Sequence, residues 1–79
     1  MTKEEMRENI RVNLINLRVA KGINQTEVGK KVNKVKTAVA SWEQGVSLPD
    51  ITTLYQLSKF YGVSMEYFYE NHSKDGEEK

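Results

Sequence analysis

Asn24-Gln25-Thr26-Glu27-Val28-Gly29-Lys30-Lys31-Val32-Asn33 runs without a break into Lys34-Val35-Lys36-Thr37-Ala38-Val39-Ala40-Ser41-Trp42-Glu43-Gln44-Gly45, and these residues decide the fold. The Asn24 side chain suits a helix start, because its oxygen accepts an otherwise orphaned backbone N–H. Glu27 stands three residues on and reaches back, which makes an Asn-x-x-Glu capping box. Val28 and Val32 are four apart and share one face of the short helix that follows. Asn33 accepts the left-handed backbone of a sharp reversal more readily than most residues. A further helix is expected over about 35–44, with Val39 and Trp42 facing inward and Gly45 as its stop. Gly29 leaves room where the two helices approach.

The same punctuation continues in both directions. Upstream, Met6, Ile10, Leu14 and Leu17 recur at helical spacing, and Gly22 ends that helix. The helix also carries a second apolar line, Val12, Ile15 and Val19. That line implies either deeper burial or contact with a second subunit or another protein. Downstream, residues 45–49 read as a loop. Asp50 caps a fourth helix with Ile51, Leu54 and Leu57 on its inner face, and Gly62 closes it. Ser64 is expected to cap a fifth helix carrying Met65, Phe68 and Tyr69 toward the core. Tyr67 falls on its outward side, so Tyr67 and Tyr69 are candidates for a dimer contact. The stretch from His72 to Lys79 is polar and acid-rich and reads as frayed. The expectation is an all-α domain of five short helices over residues 1–70. Residues 1–9 lengthen the first helix, and residues 71–79 form a polar tail.

Composition narrows the function classes. With 79 residues, 38% hydrophobic and 29% charged, the chain fits one small globular domain. No cysteine and a single histidine leave no disulfide framework and no recognisable zinc site, so no metal or cofactor is expected. Glu4-Glu5 and Glu77-Glu78 lie toward the ends, away from any pocket that would shift a carboxyl. No glycine-rich phosphate loop and no nucleophile–base pair can be named, which argues against an enzyme. Apolar runs are too short for a membrane span, and the start is acidic rather than signal-like, so a cytoplasmic location is expected. The net charge of +1 hides an asymmetry. Residues 18–42 carry six cations against Glu27, whereas residues 66–79 carry five acids against two lysines. A basic middle suggests a surface that faces a polyanion.

Two short helices crossing through a tight turn make a helix-turn-helix. Its outer face would present Lys36, Thr37, Ala38 in part and Ser41, with Gln44 at the end. These are short polar or cationic groups of the kind that reach base edges and phosphates. The stretch resembles the lambda-repressor/Cro-like, or Xre, helix-turn-helix family. The likeness rests on Asn24-Gln25-Thr26-Glu27-Val28-Gly29, Asn33 and Trp42-Glu43-Gln44-Gly45. It continues through Pro49-Asp50-Ile51-Thr52-Thr53-Leu54 and Tyr61-Gly62-Val63-Ser64, over about residues 10–70.

The resemblance implies a five-helix DNA-binding domain. Lys36, Thr37, Ala38 and Ser41 would then meet bases, with Lys36 on either guanine or phosphate. Gln25, Thr26, Lys34 and Gln44 would meet the DNA backbone. Arg18 and Glu43 would form a salt bridge between the first and third helices. Three features depart from the family: Val35 replaces a capping serine, Lys34 replaces an apolar turn residue, and residues 1–9 precede the usual start. The function implied is sequence-specific binding of an inverted-repeat operator in double-stranded DNA by a homodimeric regulator, a repressor in the first instance, with a protein modulator as a further partner. The alternative is a protein-interaction module, such as an antitoxin or an anti-repressor target, with DNA binding secondary.

Overall fold

Local chemistry sets each helix boundary. The computed structural model of the chain describes residues 1–72, and residues 73–79 of the expected tail lie outside them. Helix α1 is Lys3–Lys21. Thr2 Oγ1 accepts from the Glu5 N–H at 3.1 Å, and Glu5 Oε1 accepts from the Thr2 N–H at 2.7 Å. This capping box starts the helix two residues into the chain, so residues 3–9 are its first turns. Gly22 ends α1 with φ +70°, and its N–H returns to the carbonyls of Arg18 and Val19. Helix α2, Gln25–Lys31, opens on the reciprocal Asn24–Glu27 pair at 2.8 and 2.9 Å. Asn33, φ +58°, is the only non-glycine with positive φ among the described residues, and it makes the turn.

Helix α3, Lys36–Gln44, begins behind Val35, which supplies no side-chain cap. Helix α4, Ile51–Tyr61, begins behind Asp50, whose carboxylate accepts from the Thr53 N–H at 2.8 Å. All the secondary structure among the described residues is helical.

Two expectations need correction. The fifth element is not an α-helix but one 3₁₀ turn, Glu66–Tyr69. Ser64 does accept from the Tyr67 N–H at 3.2 Å. However, the Asn13 amide from α1 donates to the carbonyls of Tyr67, Phe68 and Glu70 at 2.8–3.0 Å. The Phe68 and Glu70 carbonyls are held toward α1, and the Tyr67 carbonyl also accepts the last 3₁₀ bond, from the Glu70 N–H at 3.3 Å. Ile51 does not face inward: it is 72% exposed. Burial on α4 begins at Thr53, so the first turn of the helix stands beyond the packed body.

The core is Ile10 and Leu14 from α1, Val28 and Val32 from α2 and its end, Val39 and Trp42 from α3, Leu54 and Leu57 from α4, and Phe68. Leu57 and Phe68 are wholly enclosed. Each fully buried side chain of this size contributes about 1.5–3 kcal/mol relative to an exposed one. The second line on α1 is not buried more deeply. Val12 and Ile15 are half-buried, and Val19 is 61% exposed. No helix among the described residues is long and apolar enough to cross a membrane.

Candidate nucleic-acid interface

Gly29 fixes how α3 leaves α2. A Cβ built there would lie 2.4 Å from the Lys34 carbonyl oxygen. In return, the Lys34 N–H donates to the Gly29 carbonyl at 2.8 Å. The glycine therefore makes room for the backbone of the turn itself rather than for a side chain of the facing helix. Its side chain could only be hydrogen here, whatever its helix propensity.

The inner face of α3 is fastened by one carboxylate. Glu43 is buried, and its Oε2 accepts from Arg18 Nε at 2.7 Å. Its Oε1 accepts from Arg18 Nη2 at 3.1 Å and from the Gln25 amide at 2.9 Å. Arg18 Nη1 donates to the Ile23 carbonyl at 3.0 Å. One side chain thus ties α3 to α1 and to the first residue of α2. The two parallel N–H···O bonds from Arg18 also fix its angle. Its hydrogen bonds to the Glu43 carboxylate raise the pKa of the Arg18 guanidinium above its ordinary value. Nearby, burial pushes the Tyr61 hydroxyl up to about 12, and the Glu43 charge acts in the same direction.

Arg11 adds a contact that the sequence reading missed. Its Nη1 donates to the Glu43 carbonyl at 3.4 Å while Glu8 holds its Nε at 3.0 Å. The signal was available, because Arg11 is seven residues before Arg18 and so lies on the same side of α1.

The outer face carries the residues expected at DNA. Lys34, Lys36, Thr37 and Gln44 are exposed, as is Thr26 at the start of α2. Ala38 is half-buried and packs against the core, so only part of it faces out. Ser41 is half-buried, and its hydroxyl shares a 3.1 Å hydrogen bond with Ser47 in the following loop. Gln25 is half-buried, with its amide N–H committed to Glu43. Gln44 lines a shallow cleft of mixed charge with Glu4, Arg7, Glu8 and Arg11.

The only acid on α3 is Glu43, which is turned inward and paired. The exposed charges of α3 and the preceding turn are therefore cationic, and Lys30 and Lys31 of α2 add to them. Asp50 sits close enough to Lys34 to feel its charge. Its pKa is lowered, mainly by its bond to Thr53. Tyr67 is half-buried rather than outward, and Tyr69 is half-buried toward the core as expected. The Tyr67 ring stacks on His72 with centroids 3.7 Å apart, and Tyr69 packs on the core. His72 is thus packed against the body instead of leading a frayed tail. Among the described residues, no group of three His, Asp or Glu side chains converges to hold a metal ion.

A helix fastened by a buried, paired carboxylate behind a tight turn, with exposed cations about it, defines a helix-turn-helix protein. A helix-turn-helix family model matches residues 14–68, and the chain belongs to that family in its lambda-repressor, Xre-like form. Among curated proteins it is similar to the cryptic phage CTXphi transcriptional repressor RstR of Vibrio cholerae, 38% identical over 47 residues. It is also similar to the HTH-type transcriptional activator BcrR of Enterococcus faecalis, 30% identical over 50 residues. The aligned stretches cover 60% and 63% of this chain but only 42% and 24% of those two proteins. No solved structure matches the chain.

Proposed function

We propose that the chain is a sequence-specific regulator of transcription that places α3 in the major groove of double-stranded DNA and acts as a repressor. The observation that carries this reading is the anchoring of α3: Glu43 is buried and tied to Arg18 and Gln25, while Lys36 at the first turn and Thr37, turned away from Glu43, are exposed. A base reader must be held to well under an ångström to discriminate by hydrogen bonds, and the Glu43 clamp supplies that rigidity. Lys36, Thr37 and the exposed parts of Ala38 and Ser41 meet base edges. Gln25, Thr26, Lys34 and Gln44 position the protein on phosphates. Two copies on an inverted repeat set their third helices about 34 Å apart, one helical turn of DNA. Such a protein works in the cytoplasm, where the DNA is, without catalysis. Control comes from concentration or from a protein modulator.

Repression is the first choice because RstR is a repressor. The sign of the effect depends on where the site lies in a promoter. A second reading, a protein-docking module with DNA secondary, draws on the exposed Val19 of α1. The experiment is selection of bound duplexes from a random pool, run with wild type and with a Lys36→Ala, Thr37→Ala double variant. Wild type should recover an inverted repeat that the double variant does not. Recovery of the same unselected pool by both would refute base reading through α3.

A further inference from the structure

Among the described residues, α3 is the one α-helix with neither a side-chain cap at its start nor a basic residue in its last turn. What its C-terminal end lacks comes from α1. The Gly45, Val46 and Ser47 N–H groups all return to the carbonyls of Ser41 and Trp42, which leaves the Glu43 carbonyl to Arg11. The Arg11 guanidinium thus satisfies an orphan carbonyl and sets a cation against the negative end of the helix dipole. Its stem lies along the same end, since a Cβ built on Gly45 would meet Arg11 Cδ at 3.3 Å.

Arg11 is itself held. Its Nε and Nη2 both donate to the Glu8 carboxylate, about one turn earlier on α1. This paired contact orients the guanidinium and leaves Nη1 for Glu43. Glu8 also offsets the charge, so the pair presents little net charge to DNA. Glu8 lies in residues 1–9, the stretch that precedes the usual start of the family. Two arginines of α1 therefore grip one residue of α3. Arg18 takes the carboxylate, which several rotatable bonds separate from the backbone. Arg11 takes the backbone carbonyl, from a position about 10.5 Å away along α1. The first contact sets where the Glu43 side chain lies, and the second holds the backbone at the end of the helix. We infer that Arg11, oriented by Glu8, is a second positioning residue for DNA reading, which fixes the C-terminal end of α3 and with it the exposed Gln44. The inference deepens the reading of α3 proposed above and rests on it.

The test compares Arg11→Met, which keeps an aliphatic stem beside Gly45, with Glu8→Ala, both folded by circular dichroism at the assay temperature. Each should bind the operator selected by the wild type roughly fivefold more weakly, the worth of one ordinary hydrogen bond. Glu8→Ala carries the informative sign. Removing an acid makes the protein more cationic, which by charge alone would tighten its hold on DNA. A gain in affinity for Glu8→Ala would therefore overturn the proposal. So would a salt slope lowered by about 0.9 in Arg11→Met, which would make Arg11 a phosphate contact instead. A second measurement needs no DNA. Amide hydrogen exchange at Gly45 and Val46, whose N–H groups close the end of α3, should quicken several-fold in both variants. Unchanged exchange would mean that Arg11 does not hold this end, and faster exchange with full operator affinity would reduce its role to stability. A wild type that selects no operator would overturn the DNA reading itself, and quickened exchange would then show an anchor that stands apart from it.

Discussion

Replacing Gly29 by alanine tests whether the turn, and not helix propensity, governs this motif. In an ordinary helix the change is favourable by about 0.5–1 kcal/mol. Here the new methyl would lie 2.4 Å from the Lys34 carbonyl oxygen and 3.3 Å from its carbon, and both are backbone atoms. Relief needs a shift of about 1 Å in the turn, which strains the bond from Lys34 N–H to the Gly29 carbonyl. Overpacking of this kind costs about 1–3 kcal/mol. The net loss is about 1–2 kcal/mol, which lowers the melting temperature of a domain this size by roughly 5–15 °C. Thermal unfolding followed by circular dichroism measures it. Because the turn aims α3, affinity for the selected operator should fall as well. A variant that melts at or above the wild-type temperature would show that the turn yields freely, and the argument from the close approach would fail.

Glu43→Gln keeps the shape but removes the charge that faces Arg18, whose side chain is 19% exposed. Breaking a fully buried pair costs about 3–5 kcal/mol. Partial hydration of the arginine reduces this to about 2–3 kcal/mol, readable by urea denaturation. Lys36→Ala should cost about 1–3 kcal/mol in operator binding and relax preference at one position per half-site. If the loss is uniform across sequences and the salt slope drops by about one, lysine serves phosphate instead. Val35→Ser adds the missing cap to α3 at a site 67% exposed, and should stabilise the fold by about 1 kcal/mol. No gain in denaturation midpoint would mean that the orphaned N–H groups are already well served by water. Asp50 has a folded pKa below its ordinary value, so its contribution is present at neutral pH and is lost as pH falls through the carboxylate range. Asparagine caps equally well without titrating. Asp50→Asn should therefore melt like wild type near pH 7 and lose less than wild type on acidification to about pH 3. Parallel pH profiles would exclude the cap as a source of acid sensitivity.

The helix boundaries were legible because each is written in a side chain that satisfies its own neighbours. Asn24 with Glu27, Asp50, Gly22, Gly45 and Gly62 act within four residues, and no tertiary information is needed to place them. The 3₁₀ turn was not legible, because its form depends on Asn13, more than fifty residues away in sequence. A helical asparagine on an inner face gives no hint of which carbonyls it will take. Ile51 was misread for a related reason: periodicity says which side of a helix a residue occupies, but not whether a neighbour covers that turn. Tyr67 failed in the same way, since its partner His72 was assigned to a tail. At the interface, the exposed cations could be found by residue type and spacing. The hydrogen bond from Gln25 to Glu43 depends on how α2 crosses α3, which spacing alone does not fix.

Helix α3 divides two tasks between two sets of positions. Val39, Trp42 and Glu43 hold it, and substitutions there are felt in the core or in the ion pair. Lys36, Thr37 and Gln44 are exposed, where a substitution usually changes stability by less than about 0.5 kcal/mol. On the proposed reading, operator preference can therefore drift through Lys36 and Thr37 while the fold stays fixed. Ala38 and Ser41 belong to both sets: one packs on the core, and the other braces the loop through Ser47. A larger residue at either position would reach further toward DNA only by displacing a neighbour. Changes of specificity in this chain should therefore come first at Lys36 and Thr37. A selection for new operators that instead enriched Ala38 or Ser41 variants would show that α3 tolerates repacking and that the two tasks are not separate.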